Sequence, residues 1–236
     1  MARLLVVQNA QNEGLGRFGE WLGRDGLSVE VVHAYAEAPL PGRLEHHGVI
    51  VLGGGLLPDD DGRAPWLAHT RFLIAEALAQ SVPVLGICLG GQMLAHVAGG
   101  TVQGGYGEPE VGSTSLTVRA EAAEDPLFRN LPRQVTAVEN HVDAVTALPS
   151  GAVWLVESEQ CPYQAFRLGN RAWGLQFHPE AGADRVRSWC PQRLRARGLD
   201  PVALEHRAER DEAEAALVWR EFARRFASVV EVRTRS

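Results

Sequence analysis

Cys88 lies in the stretch VLGICLGGQMLAH (84–96), where an apolar run changes into a glycine-rich turn. The order Gly86-Ile87-Cys88-Leu89-Gly90 has the form G-x-C-x-G, which with a central serine marks the nucleophile elbow between a strand and a helix. Glycines permit the strained turn, and the N-terminus of the following helix favours a thiolate. The backbone N–H of Leu89 can help to bind an oxyanion. The turn alone is equally consistent with a buried structural cysteine.

A cysteine nucleophile needs a base, and His178 in GLQFHPE (174–180) is the best candidate among the histidines. Pro179 favours an extended backbone at His178, so His178 and Glu180 point to the same side of the chain. Glu180 can then orient the imidazole and stabilise its charged form, as in a catalytic triad. The alternative interpretation is a surface H-P-E turn.

Three glycines, Gly53-Gly54-Gly55, end the third apolar run and supply candidate oxyanion donors. Glycines let backbone N–H groups approach a substrate oxygen closely, although three glycines also suit a flexible turn. If the apolar runs are parallel strands, this turn and Cys88 lie at the same edge of the sheet, where sites form in open α/β folds.

The elements that must position these residues alternate along the first half of the chain. Apolar runs at 3–8, 27–35, 47–55 and 82–88 predict strands, and segments 16–26 and 64–80 predict helices between them. This order predicts an α/β fold with an open, mostly parallel sheet and helices on both faces. From about Thr101, shorter strands predict a small antiparallel addition at the sheet edge.

The rest of the chain is predicted to be a hairpin followed by helices. Gly169-Asn170 favours a tight hairpin turn, and segment 211–230 carries one apolar stripe suited to docking on the core. That stripe comprises Ala215, Val218, Phe222, Phe226 and Val229, and within helix 64–80 we expect an apolar face formed by Leu67, Phe72, Ile74, Ala75 and Leu78. We predict a single domain over 1–236, with a catalytic core of about 1–181 and a helical extension over 182–236.

The composition limits the chemistry and the partners. A formal net charge of −6 without a basic stripe argues against nucleic-acid binding. Three cysteines without a C-x-x-C pair predict no disulfide framework. No run is typical of a signal peptide or a membrane span, so we expect a cytoplasmic protein. All 23 basic residues are arginine, which excludes a lysine general base, a Schiff-base lysine and a P-loop lysine.

Taken together, these motifs resemble those of the class I glutamine amidotransferases, and most of all their stand-alone members. PVLGICLGGQMLA resembles the family's nucleophile motif, and GLQFHPE its His–Glu motif. VIVLGGG, EVGSTSLTV and NHVDAVTALPSGA are similar to other segments of the family, and the resemblance covers about 1–181. Gly55 stands where the family has proline, and Val142 where it has glycine, which leaves the shape of the substrate pocket open.

The resemblance implies a role for each matching residue. Cys88 would be the nucleophile, His178 the base and then the acid, and Glu180 the group that orients it. Gly54 or Gly55 would supply the oxyanion hole together with Leu89. Gln92 would hold the substrate, with a helix-surface amide as the alternative, and His141 and Asp143 would shape its pocket. Glu110, Cys161 and Cys190 are expected to be structural, and His96 to be packed on the helix away from the thiol.

The implied reaction is cysteine-dependent hydrolysis of a γ-glutamyl amide through a γ-glutamyl thioester on Cys88. No metal or organic cofactor is expected, and the substrate would be glutamine or a γ-glutamyl compound. A separate synthetase is a possible partner that accepts ammonia. The alternatives are a γ-glutamyl peptide or metabolite hydrolase without a synthetase, a thiol hydrolase of other amides or esters, and a non-catalytic regulatory subunit with the same fold.

Overall fold

The computed structural model describes residues 1–233, and the last three residues of the predicted extension lie outside the described residues. The strands are β1 (Arg3–Gln8), β2 (Ser28–His33), β3 (Gly48–Val51), β4 (Val84–Ile87), β5 (Thr101–Gln103), β6 (Glu110–Val118), β7 (Gln134–His141), β8 (Ala144–Ala147), β9 (Val153–Glu157), β10 (Ala165–Leu168) and β11 (Ala172–Leu175). The α-helices are α1 (Gly16–Arg24), α2 (Trp66–Ala79), α3 (Leu89–Val97), α4 (Ala183–Arg187), α5 (Pro191–Ala196) and α6 (Pro201–Arg233).

A nine-stranded sheet in the order β2-β1-β3-β4-β11-β10-β9-β6-β7 forms the centre of the molecule. The pairs from β2 to β11 are parallel, and those from β11 to β7 are antiparallel. Strands β5 and β8 form a separate two-stranded antiparallel sheet. The α/β class with a mostly parallel large sheet and a small antiparallel sheet is therefore confirmed.

The position of β11 decides where the candidate catalytic residues meet. The hairpin through Gly169, whose φ is 58°, pairs Leu168 with Ala172 and turns the chain back from β10. Strand β11 then runs parallel to β4, and Leu175 is paired with Ile87. Because these strands end side by side, the segments that follow them, with His178 and Cys88, emerge at the same edge of the sheet.

Helices cover both faces of the sheet and enclose two apolar cores. One core contains buried residues of α1 and α6, and the other those of α2 and α3. The predicted stripe on α6 is buried at Ala215, Val218, Phe222 and Phe226, while Val229 is half-buried. Trp219, which the stripe did not include, is fully buried and donates from Nε1 to the carbonyl oxygen of Thr136 at 2.8 Å.

The apolar face predicted for α2 is partly wrong. Phe72 and Ala75 are exposed, whereas Leu73 and Ala77 join Leu67 in the core. The helix has apolar residues on more than one side, so spacing alone did not determine which side faces the sheet. The predicted boundary between residues 181 and 182 stays a prediction. Over residues 1–233, no helix has both the length and the apolar character needed to cross a membrane.

Candidate active site

Cys88 occupies a strained turn between β4 and α3. Its backbone has φ 52° and ψ −112°, a conformation that costs a non-glycine residue about 1–3 kcal/mol. Its N–H donates to the carbonyl oxygen of Leu175 at 2.8 Å, which ties the turn to β11. A Cβ atom at Gly86 would lie 2.3 Å from the oxygen of Gly90, and one at Gly90 would lie 2.0 Å from the oxygen of Val51. The glycines of the motif therefore permit the turn to pack tightly on the sheet.

His178 and Glu180 form a buried pair just beyond β11. The Nδ1 atom of His178 is 2.7 Å from Oε1 of Glu180, and the backbone N–H of His178 donates to Val138 at 2.8 Å. Burial by itself would lower the pKa of His178, but the carboxylate of Glu180 and the side chain of Cys88 outweigh it. Their combined effect raises the pKa of His178 well above its ordinary value, so the ring can hold a proton beside the thiol.

Gln176 is a member of the site that the sequence argument missed. Its Nε2 atom is 3.7 Å from the sulfur of Cys88, and its side chain is buried. The signal was present, because Gln176, His178 and Glu180 alternate along one extended segment and so face the same side. The amide of Gln176 gives the thiol a polar neighbour in addition to His178.

The three glycines after β3 differ in their surroundings. A Cβ atom at Gly53 would lie 3.4 Å from Cβ of Cys88, so this glycine lies directly beside the nucleophile. A Cβ atom at Gly54 would lie 3.1 Å from the side chain of Leu89 and 3.3 Å from that of Asn9, whereas Gly55 is exposed and faces open space. The N–H of Leu89, in the first turn of α3, has no acceptor within the helix. Gly54 and Leu89 are thus the better-placed pair of donors.

Gln92 is not a helix-surface amide, since it is buried in the first turns of α3. Its Nε2 atom donates to Oε1 of Gln176 at 3.0 Å and to the carbonyl oxygen of Asp143 at 2.9 Å. Gln92 therefore connects the residue beside the thiol with the segment that carries His141 and Asp143.

His141 faces inward and is engaged within the protein. Its Nε2 atom is 2.9 Å from Glu139 and 3.2 Å from Glu110, at ion-pair distance but away from the direction of the N–H bond, and its Nδ1 atom is 3.2 Å from the carbonyl oxygen of Asp143. Burial would lower the pKa of His141, but the two carboxylates raise it to about 10, whereas burial raises the pKa of Glu139. Glu110 also accepts from Gln164 at 2.7 Å. The structure thus places this cluster in the wall beside Gln92.

The remaining thiols and His96 lie outside the catalytic arrangement. Cys161 is buried, as expected, and burial raises the pKa of its thiol to about 12. The expectation for Cys190 is wrong, because it is exposed at the start of α5. His96 lies one turn beyond Gln92 on α3, as expected, but it is exposed rather than packed.

Two groups of potential metal donors occur in the described part of the chain, namely Glu110 with His141 and Cys161, and Glu13 with His178 and Glu180. In the first group the raised pKa values keep the histidine and the thiol protonated near neutral pH, and a metal would have to displace both protons. The second group includes the catalytic pair. We assign neither group to a metal.

The comparisons with known proteins agree with this geometry. A family model described as "Glutamine amidotransferase class-I" matches residues 20–188. The glutamine-hydrolysing subunit of a GMP synthase from Halobacterium salinarum is 32% identical over 187 residues, covering 76% of this chain and 90% of that protein. A GMP synthase [glutamine-hydrolyzing] from Porphyromonas gingivalis is 42% identical over 147 residues, and the match spans only 27% of its length.

Two solved structures share nearly the whole fold. A glutamine amidotransferase from Thermotoga maritima superimposes with a TM-score of 0.86 at 29% identity, covering 96% of this chain and 98% of that chain. A glutamine amidotransferase from Methylobacillus flagellatus gives a TM-score of 0.86 at 28% identity, covering 97% and 95%. The likeness therefore includes the helices that follow His178 and Glu180.

Proposed function

Because the chain belongs to the class I glutamine amidotransferase family, whose members are enzymes that hydrolyse glutamine, we propose that it cleaves a γ-glutamyl amide through a thioester on Cys88. The carrying observation is the meeting of three features at one sheet edge. These are the strained turn that presents Cys88, the Gly53 strand end beside it, and the His178–Glu180 pair at 2.7 Å.

The first half of the reaction is acylation of the thiol. The Cys88 thiolate attacks the side-chain carbonyl carbon, while His178 holds the proton that left the sulfur. The N–H groups of Leu89 and Gly54 receive the negative oxygen, and a single such donor is worth about 3 kcal/mol. His178 then protonates the leaving nitrogen as the C–N bond breaks. The products are ammonia or an amine and a γ-glutamyl thioester.

The second half is hydrolysis of the thioester. His178, now neutral, takes a proton from water as the water oxygen attacks the thioester carbonyl. The C–S bond breaks, the thiolate returns, and glutamate leaves. General-base assistance of this kind is worth about 10²–10⁴-fold in rate. Glu180 keeps the ring oriented through both halves and stabilises its charged form.

We further propose that Gln92 contacts the bound substrate and that Asp143 supports it. The carbonyl oxygen of Asp143 holds the amide of Gln92, and His141 holds the same carbonyl from the other side. In this view His141 and Asp143 shape the pocket wall by fixing Gln92. The glutamyl moiety then lies between that wall and the thiol.

The Halobacterium relative is a glutamine-hydrolysing subunit by name. By analogy, we propose that ammonia released here is passed to a separate synthetase. A hydrolase of γ-glutamyl peptides or metabolites, with no synthetase, is the competing assignment for the same site, because the chemistry at Cys88 is identical for both.

One experiment separates these assignments. The purified protein is incubated with glutamine and with a series of γ-glutamyl peptides, and ammonia, free amine and glutamate are measured. Ammonia from glutamine supports the amidotransferase, whereas turnover of substituted amides alone would favour the hydrolase. Mass spectrometry of the quenched enzyme should show a glutamyl adduct on Cys88. A different acyl group would contradict a γ-glutamyl substrate, and no adduct or turnover with any compound would favour the regulatory subunit.

A further inference from the structure

The segment between β1 and α1 wraps around the residues that carry the catalytic base. The N–H of Arg17 donates to the carbonyl oxygen of Glu180 at 3.0 Å, and its Nε atom donates to that of Pro179 at 3.0 Å. A Cβ atom at Gly16 would lie 2.2 Å from the oxygen of Glu180, so only glycine permits this approach. The Nη1 atom of Arg17 also pairs with Glu212 of α6 at 3.0 Å. The loop 178–180 is thus clamped from two sides.

Glu13 in the same segment points its carboxylate at the catalytic histidine. Its Oε2 atom is 3.8 Å from Nδ1 of His178, while its Oε1 atom pairs with the guanidinium of Arg185 on α4. Only 16% of the Glu13 side chain and 20% of the Arg185 side chain are exposed. One carboxylate is therefore shared between the base and an arginine of the predicted C-terminal extension.

We propose that Glu13 is a second carboxylate that positions and charges His178, and that Arg185 limits its effect by pairing with it. Neither residue is within the two sequence motifs of the family resemblance. The proposal rests on the proposed function, since it assigns a positioning role at the same site. It also gives the segment after Gly182 a role in catalysis, because Arg185 supplies the opposing charge.

The charged and titratable groups that face His178 come from several elements. They are Cys88 at the start of α3, Glu180 in its own loop, Glu13 between β1 and α1, and Glu139 on β7. Arg185 stands behind Glu13, and Arg17 stands close to Glu180. Of the carboxylates, Glu13 alone forms an ion pair with Arg185, so its effective charge on His178 depends on that pairing.

The two members of the pair should therefore act on His178 in opposite directions. A negative charge near an imidazolium favours the charged form, and removing that charge lets the proton leave at lower pH. Removing Arg185 frees the negative charge of Glu13 to act on the ring, and the proton is then held to higher pH. A purely structural ion pair would give no such opposition, since both variants would lose the same contact.

The test compares Glu13→Gln, Arg185→Gln and the double variant with the unaltered protein. The pH dependence of kcat is measured with the best γ-glutamyl substrate, together with that of Cys88 alkylation by iodoacetamide, which needs no substrate. We expect the alkaline limb to move down by about half a unit to one unit in Glu13→Gln and up by a similar amount in Arg185→Gln. The double variant should lie near the unaltered protein, and KM should change less than kcat.

A surface ion pair provides the matched control. Glu20 and Arg24 pair on α1 with their side chains mostly exposed, and Glu20→Gln and Arg24→Gln should leave both profiles unchanged. Glu13→Asp should restore part of the shift, because it restores the charge. Circular dichroism checks the fold of each variant, and should Glu13→Gln fail to fold, Arg185→Gln alone still gives the sign.

Shifts in the same direction, or no shift in either variant, would overturn the role of Glu13. That result is distinguishable from failure of the proposed function. If the unaltered protein turns over no γ-glutamyl compound and its Cys88 alkylation does not depend on His178, the catalytic assignment itself is wrong.

Discussion

A Cβ atom at position 53 would lie 3.0 Å from Cε1 of His178, so the catalytic ring occupies space that only a glycine leaves free. This distance is shorter than ordinary van der Waals contact. The absence of a side chain at Gly53 thus permits His178 to reach Cys88, which links the strand end to the base as well as to the oxyanion donors.

Gly53→Ala should consequently lower kcat while the protein still folds. The added methyl group displaces the ring by a few tenths of an ångström, and misplacement of a catalytic group by about 1 Å can cost 10²-fold. We expect a loss of roughly ten- to a hundred-fold, measured as the initial rate of glutamate release. Gly42→Ala is the control, because Gly42 is exposed and a Cβ atom there meets nothing within 4 Å. Unchanged kinetics in Gly53→Ala would contradict the packing argument.

Cys88→Ala should abolish turnover, since no other described thiol lies beside the His178–Glu180 pair. Loss of a nucleophile of this type typically removes a factor of about 10⁴–10⁶ from kcat. Cys190→Ser is the matched control, as this exposed thiol has no place in the site. Substrate binding by Cys88→Ala, followed by calorimetry, should survive the substitution. Residual turnover near the original rate would show that Cys88 is not the nucleophile.

Glu180→Gln should keep the fold and lower kcat by about 10²–10⁴-fold. The amide preserves the shape of the carboxylate but removes the charge that holds the His178 imidazolium and fixes its tautomer. Because Glu180 raises the pKa of His178, the alkaline limb of the kcat profile should also move to lower pH. Glu37→Gln, at an exposed glutamate in the turn after β2, provides the comparison. An unaltered pH profile would argue against this pairing in solution.

Stability should fall as the pH rises above about 6.5, because the folded protein holds a proton on His141 that the unfolded chain releases. The folded-state pKa of His141 is raised to about 10, above its ordinary value of 6.5. Its stabilising contribution is therefore complete below pH 6.5 and is lost as the pH rises through 10. Urea unfolding at pH 6.5 and 9.5 measures the difference.

His141→Asn should weaken this pH dependence and destabilise the protein by about 3–5 kcal/mol, since it leaves Glu110 and Glu139 buried without a positive partner. His96→Asn is the control, because His96 is exposed on α3. A variant as stable as the unaltered protein at pH 6.5 would mean that His141 is not charged in the folded state.

Local spacing in the sequence determined much of the site. The glycines around Cys88 predict the strained turn, and the alternation of His178 with Glu180 predicts their pairing, because both depend only on the backbone conformation of adjacent residues. The same alternation indicated Gln176. The parallel first half of the sheet followed from its buried apolar runs for the same reason.

Only the tertiary structure decided which segments meet. Strand β11 lies beside β4 because of the pairing energies of the whole sheet, and this register brings His178 to Cys88 across 90 positions of the chain. The contacts of Glu13 with His178 and Arg185, and of His141 with Glu139, likewise join segments that no local pattern connects. Side-chain spacing fixes direction along one segment, whereas strand order and helix docking fix which charges become neighbours and how deeply they are buried.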